Sequence, residues 1–205
     1  MQLLTVKVGY GSNCYIVSDD ITSDAVVIDP GAQGRRISKI LKENSLDLKA
    51  VFLTHGHFDH ISGLMELLAE TEEYPDVWIS NEETVIDSFP FKQDRLKGIA
   101  LRHWKDEEII QIGSMTFRIL YTPGHSPGSV CILIGDMMFS GDTLFKESVG
   151  RTDFIGSNRI AMENSLQRIV SLQKNYRVFP GHEDPTTLFD EKDKNPYLMA
   201  LKAEE

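Results

Sequence analysis

Apolar residues along this chain recur with two periods, and the points where one period gives way to the other mark its elements. Alternation and short apolar runs predict strands over about 2–8, 13–18 and 24–29. The third run stops at Asp29-Pro30-Gly31, a turn signal, because proline presets φ and glycine tolerates positive φ. A helix is expected next, with Ile37, Ile40 and Leu41 on one face. Positions 49–54 are almost wholly apolar, the pattern of a strand covered on both sides. Ile61, Leu64, Met65, Leu67 and Leu68 then recur at helical spacing, while 71–105 carries no clear period. Strands return at 108–112, 115–121, 129–134 and 137–140, with a tight hairpin over Ile134-Gly135-Asp136-Met137. Met162, Leu166, Ile169 and Val170 predict a helix over about 157–173, followed by a short strand at 177–179 and a final helix in a polar tail. Two sheets packed face to face with helices outside would bury every one of these runs.

Composition narrows the class of protein. Of the 205 residues, 41% are hydrophobic and 25% charged, as in an ordinary folded domain. The longest apolar runs, such as 25–28 and 50–53, fall far short of the roughly 18 residues that span a bilayer. The first residues alternate like a strand and lack the basic-then-apolar layout of a signal peptide, so a cytoplasmic protein is expected. Lys and Arg total 21 against 31 Asp and Glu, a formal charge of −10 that repels phosphate backbones. Neither nucleic acid nor a membrane is therefore the expected partner, and nothing in the pattern fixes an oligomeric state. Cys14 and Cys131 belong to no disulfide framework or CxxC pair and read as small core residues.

The candidate chemistry lies just beyond predicted strand ends. The strand at 49–54 runs into His55-Gly56-His57-Phe58-Asp59-His60. His125, Asp142 and His182 follow three further strands. Ends on one edge of a sheet lie side by side, so these loops are positioned to converge. Imidazole and carboxylate are the common ligands of zinc and non-haem iron. Four donors within six residues are too many for one tetrahedral ion that keeps an open position. His55, His57, Asp59, His60, His125, Asp142 and His182 make seven, enough for two divalent ions sharing a carboxylate. Two such ions about 3.5–4 Å apart can hold a bridging hydroxide and polarise a carbonyl or phosphoryl group. His103 lies outside the pattern and receives no role.

With those residues in place, the sequence resembles the metallo-β-lactamase superfamily over most of its length. The resemblance implies one domain over 1–205 with the αββα fold, two mixed β-sheets flanked by helices. By the same resemblance His55, His57 and His125 would bind one metal, Asp59, His60 and His182 the other, and Asp142 would bridge them. Asp29 would orient a ligand instead of binding metal. Zinc is the expected metal, with iron and manganese as the other candidates. Gly141-Asp142-Thr143-Leu144-Phe145 and Gly150-Arg151-Thr152-Asp153-Phe154 resemble the glyoxalase II-type branch, here a short form with 23 residues after His182. That branch implies hydrolysis of a thioester of a low-molecular-weight thiol, as in hydroxyacylglutathione hydrolases. Asp59 would be placed to orient the attacking hydroxide, and Arg151 to recognise a substrate carboxylate. Two alternatives stay open: a mononuclear iron persulfide dioxygenase built on His55, His125 and Asp142, and a non-catalytic metal-binding protein.

Overall fold

The computed structural model describes residues 1–84, 99 and 101–203. Six strands form the first sheet, in the order β1 (Gln2–Lys7), β2 (Asn13–Ser18), β3 (Asp24–Ile28), β4 (Asp47–Phe52), β5 (Asp76–Ile79) and β6 (Leu101–His103). β1, β2 and β3 pair antiparallel, whereas β3 to β6 run parallel. Parallel neighbours need a crossover. Helix α1 (Gly34–Glu43) supplies it between β3 and β4; the short helices α2 (Phe58–Ile61) and α3 (Leu64–Leu68) supply it between β4 and β5. Helix α4 (Asn81–Thr84) follows β5.

The second half of the chain builds β7 (Ile109–Ile112), β8 (Met115–Tyr121), β9 (Val130–Ile134) and β10 (Met137–Gly141) as antiparallel neighbours. A small ribbon, β11 (Leu144–Phe145) with β12 (Ser148–Val149), precedes helix α5 (Arg159–Val170). β13 (Arg177–Pro180) then returns parallel to β10, and β14 (Thr186–Thr187) closes that edge. Helices α6 (Leu188–Lys194) and α7 (Pro196–Ala203) follow, and the second sheet has the order β14-β13-β10-β9-β8-β7.

Side-chain alternation sorts the apolar residues into three layers. Tyr15, Val17, Val26, Ile28 and Phe52 from the first sheet meet Phe117, Ile119, Ile132, Phe139 and Phe179 from the second. Their neighbours Ile16, Val27 and Val51 face outward onto Ile37, Leu41, Leu64 and Leu67 of α1 and α3. Leu120, Cys131, Leu133 and Met138 face the other way, onto Met162, Leu166 and Ile169 of α5 and Leu188 and Leu198 beyond it. The central strands are thus buried on both faces, which is why they read as unbroken apolar runs. The expected αββα sandwich is what the chain forms.

Several boundaries differ from expectation. The helical stretch around 61–68 is two pieces, because the chain turns at Ser62-Gly63, where the Gly63 amide donates to the Pro30 carbonyl at 2.8 Å. α2 already begins at Phe58 with His57 as its cap, so Asp59 sits inside its first turn. α5 is shorter than 157–173, because the Asn158 side chain accepts the Ala161 amide at 3.0 Å and starts the helix there. The aperiodic stretch 71–105 holds β5 and β6, and its positions 85–98 and 100 lie outside the described residues. Cys14 and Cys131 are buried, unpaired thiols. No described helix is long and apolar enough to cross a membrane.

Candidate metal centre

Strand ends from both sheets deliver the seven donors to one edge. β4 leads into His55 and His57, and α2 carries Asp59 and His60. His125 lies between β8 and β9, Asp142 follows β10, and His182 follows β13. Cross-sheet hydrogen bonds hold these loops together. The Val130 amide donates to the Thr54 carbonyl at 3.0 Å, and the Asn13 amide to Gly181 at 2.7 Å. The buried Tyr15 hydroxyl donates to the Pro180 carbonyl at 2.6 Å. A Cβ on Gly181 would fall 2.3 Å from Asp142 Oδ1 and 2.5 Å from His60 Cε1, so only a bare backbone passes there.

Second partners fix which ring nitrogen each histidine presents. His125 Nδ1 donates to the Arg151 carbonyl at 2.9 Å, which leaves Nε2 as a lone pair. His60 Nδ1 donates to Asp29 Oδ2 at 3.0 Å, again freeing Nε2. The Thr54 hydroxyl spends its proton on Asp29 Oδ2 at 2.6 Å, so it accepts from His55 Nδ1 at 3.1 Å. His57 is turned the other way and presents Nδ1, 2.8 Å from His125 Nε2. Donors of His55, His57 and His125 lie within 4.8 Å of one another, as do those of Asp59, His60 and His182. Asp142 stands between the two sets: Oδ2 is 3.4 Å from His125 Nε2 and 3.6 Å from His182 Nε2, and Oδ1 is 3.4 Å from His60 Nε2.

The donor set fits metal on two counts. His55 Nε2, His60 Nε2 and Asp142 Oδ1 are buried without a hydrogen-bond partner, a costly arrangement that a cation relieves. Donors about 2.0–2.1 Å from a tetrahedral ion sit roughly 3.3–3.4 Å apart. The separations of 3.1 Å from His182 Nε2 to Asp59 Oδ2 and 3.4 Å from His125 Nε2 to Asp142 Oδ2 lie near that edge length.

Electrostatics divides the cluster in two. Burial, with the neighbouring imidazoles, pushes His55 well below the usual histidine range and His57 down to about 4, keeping both neutral. Burial alone would raise Asp142, but His60, His125 and His182 hold it at about 2. His60 is carried well above its ordinary range because Asp142 and Asp29 outweigh its burial. His182 is raised chiefly by its bond to Asp59. His55 and His57 therefore offer neutral lone pairs, whereas carboxylates crowd the imidazoles of the second set.

Two supporting groups left no trace in the sequence pattern. Glu83, on α4, is buried, and its carboxylate accepts the Gly56 amide at 2.8 Å and the Gly128 amide at 2.7 Å. It thereby ties the loop of His55 and His57 to the loop after His125. Within Asn81-Glu82-Glu83-Thr84 it reads as a solvated residue, because only the tertiary fold turns it inward. Thr54 is the second, its amide and hydroxyl both held by Asp29. His103 instead bonds the Ile79 carbonyl through Nδ1 at 3.3 Å.

A cleft of about 640 Å³ opens over the donors, lined in part by Phe58, Phe145, Val149, Arg151, Phe154 and Ile155. Arg151 does reach the cleft wall, where its guanidinium donates to both Asp153 oxygens, at 2.5 and 2.7 Å. The same group lies over the Phe154 ring at 4.2 Å. That ring in turn meets His57 and His125 edge-on, with centroids 5.3 and 5.8 Å away.

Comparison with known proteins places this edge in a family. A model described as the metallo-beta-lactamase superfamily matches residues 8–182. The chain belongs to that superfamily. Among its relatives, the "Probable metallo-hydrolase YqgX" of Bacillus subtilis is 34% identical over 90% of each chain. Hydroxyacylglutathione hydrolase GloC of Haemophilus influenzae is 31% identical, covering 92% of this chain and 93% of its own. A crystal structure of TTHA1623 in a di-iron-bound form superposes with a TM-score of 0.79 at 32% identity, covering 95% of this chain and 100% of that one. Superfamily membership and the His/Asp cluster together make the chain a metallo-hydrolase-type protein with a site suited to metal.

Proposed function

We propose that the chain is a dinuclear metal-dependent hydrolase of thioesters formed on a low-molecular-weight thiol, of the glyoxalase II type. The carrying observation is the position of Asp142, within 3.6 Å of histidines from both donor sets. His55, His57 and His125 would hold one ion and Asp59, His60 and His182 the other, with Asp142 shared. Divalent ions bound there supply an electrophile for the carbonyl oxygen and make water acidic enough to ionise near neutral pH. The chain's own groups do the rest. Asp29 and the Arg151 carbonyl fix the His60 and His125 rings, and the Phe154 ring packs edge-on against His57 and His125. The half-buried Asp59 lines the cleft, where it is placed to orient the attacking oxygen.

Zinc is the proposed metal, with iron and manganese as alternatives; the di-iron relative supports keeping iron among them. The proposed setting is cytoplasmic, a reading consistent with two buried cysteines that form no disulfide. The proposed partner is a small molecule, with neither nucleic acid nor a membrane surface. Asp59, His60 and His182 offer donors to a second ion, which a single-iron persulfide dioxygenase built on His55, His125 and Asp142 does not use, so the number of ions bound separates the two readings. The test is metal per chain in anaerobically purified protein, with thioester hydrolysis and oxygen uptake assayed in parallel. Two equivalents with hydrolysis are expected; one iron with oxygen uptake would refute the proposal.

A further inference from the structure

The cleft wall is apolar on both sides of the donors, starting at the donor rings themselves. Phe154 meets His57 and His125 on one side, and Phe145 meets His182 at 6.3 Å on the other. Farther out, Ile155 is 89% exposed, Phe154 44% and Phe58 53%, with the exposed Tyr10 packed edge-on against Phe58 at 4.9 Å. Large apolar side chains left in water around a site are a reserve of hydrophobic energy that a ligand can collect. The polar inventory is one-sided. Among the described lining residues Arg151 is the one lysine or arginine, and its guanidinium is already shared between Asp153 and the Phe154 face. Asp59, Asp142 and Glu183 add negative charge to the same wall. A carboxylate on the part of the substrate that enters here would meet acids and phenyl rings.

Resting on the thioester-hydrolase reading above, we infer that the substrates preferred at this site carry an uncharged, apolar acyl group, aliphatic or aromatic. Its chain lies against Phe154 and Ile155 and is read by burial, with no ion pair. On this view Arg151 positions Phe154 by sitting over its ring at 4.2 Å, and substrate carboxylate recognition is not its task. Burying one methylene is worth about a three- to fourfold gain in binding. Specificity should therefore rise stepwise with acyl length until the wall is covered.

The experiment uses the metal-loaded protein and thioesters of one uncharged thiol, N-acetylcysteamine, bearing acetyl, butyryl, hexanoyl, phenylacetyl, lactoyl and succinyl groups. Expected is a rise in kcat/KM of about threefold or more per methylene along the straight chains, with lactoyl and succinyl at least tenfold below hexanoyl. Ile155→Ser and Phe154→Ala should flatten that dependence on chain length. Calorimetric binding of acetate, butyrate, hexanoate and succinate to the same protein gives a readout free of turnover. Affinity rising with chain length and flattened by Ile155→Ser, with no thioester cleaved, would overturn the hydrolase reading and leave the apolar site standing. Turnover of all six esters at rates independent of chain length, with succinate bound as well as hexanoate, would overturn the apolar site and leave the hydrolase reading standing.

Discussion

The Glu83 carboxylate accepts the amide of Gly128, 45 positions away, at 2.7 Å, and its other oxygen accepts Gly56 at 2.8 Å. One buried side chain thus spans the loops that present His55, His57 and His125. A Cβ on Gly128 would fall 2.9 Å from Glu83 Cγ, so the glycine is part of the arrangement. Substituting Glu83→Gln leaves one oxygen to accept and sets an amide NH₂ against the other N–H. Loss of a charge-assisted buried bond of this kind costs about 1.5–3 kcal/mol. The expected outcome is weaker binding of the ion at the first donor set, with the second set less affected. Cobalt titration followed by visible absorption tests this; identical spectra and affinities in Glu83→Gln and wild type would refute the positioning role.

Asp142→Ala should remove at least as much metal as any single histidine change. It deletes the carboxylate that faces both donor sets and leaves two like-charged ions without a shared anion. Metal per chain is the measurement, and near-normal stoichiometry with near-normal turnover would refute the shared role.

His182→Ala should lower metal content from about two equivalents toward one, with thioester hydrolysis down by roughly 10²-fold or more. His55→Ala serves as the control for a site that binds metal at all. Circular dichroism checks that each variant folds. Wild type with one ion, and a His182→Ala protein that keeps both that ion and the activity, would sink the dinuclear assignment.

Acid stability should depend on Asp19, remote from the metal loops. Its carboxylate accepts the amides of Ile21 at 2.8 Å and Ser114 at 2.5 Å. Those backbone bonds pull its pKa from 3.8 down to about 2 in the folded protein. A folded pKa below the unfolded one stabilises above pH 4, and that contribution is lost as pH falls from about 4 to about 2. Urea unfolding of wild type and Asp19→Asn should therefore differ at pH 6 and converge toward pH 2; a constant difference would count against this.

Phe52→Ala should cost about 3–5 kcal/mol, the range for emptying a fully buried aromatic site. Phe52 sits between the sheets with Trp104 and Phe117 edge-on at 5.1 and 5.0 Å. Chemical denaturation measures the loss, and a change below 1 kcal/mol would mean the layer can close over the gap.

The sandwich was legible because its central strands are covered on both faces, so 14–17, 25–28 and 130–134 are apolar without interruption. The donor loops were legible because seven histidines and aspartates fall directly after such strands. Glu83 was not, because its neighbours are polar and its burial depends on glycines 27 residues before and 45 residues after it. The break between α2 and α3 was hidden for a related reason. Local spacing favours one helix across 61–68, and the contact of Gly63 with the Pro30 carbonyl is made only once β3 and β4 are paired. The tie between Arg151 and Asp153 spans two residues, yet sequence alone cannot tell it from an arginine awaiting a substrate anion.

The donors come from both sheets: β4 and α2 on one side, β10 and β13 on the other. An ion held among them is therefore bound only while the two halves of the sandwich stay docked. Ligation to the folded chain alone adds about 2.7 kcal/mol of stability per site at one hundred times its dissociation constant. For a protein whose total margin is of order 5–15 kcal/mol, that is a sizeable share. Metal supply would then govern how long each copy survives as well as how fast it works, and chains made during metal scarcity would be the ones that open and meet proteases first.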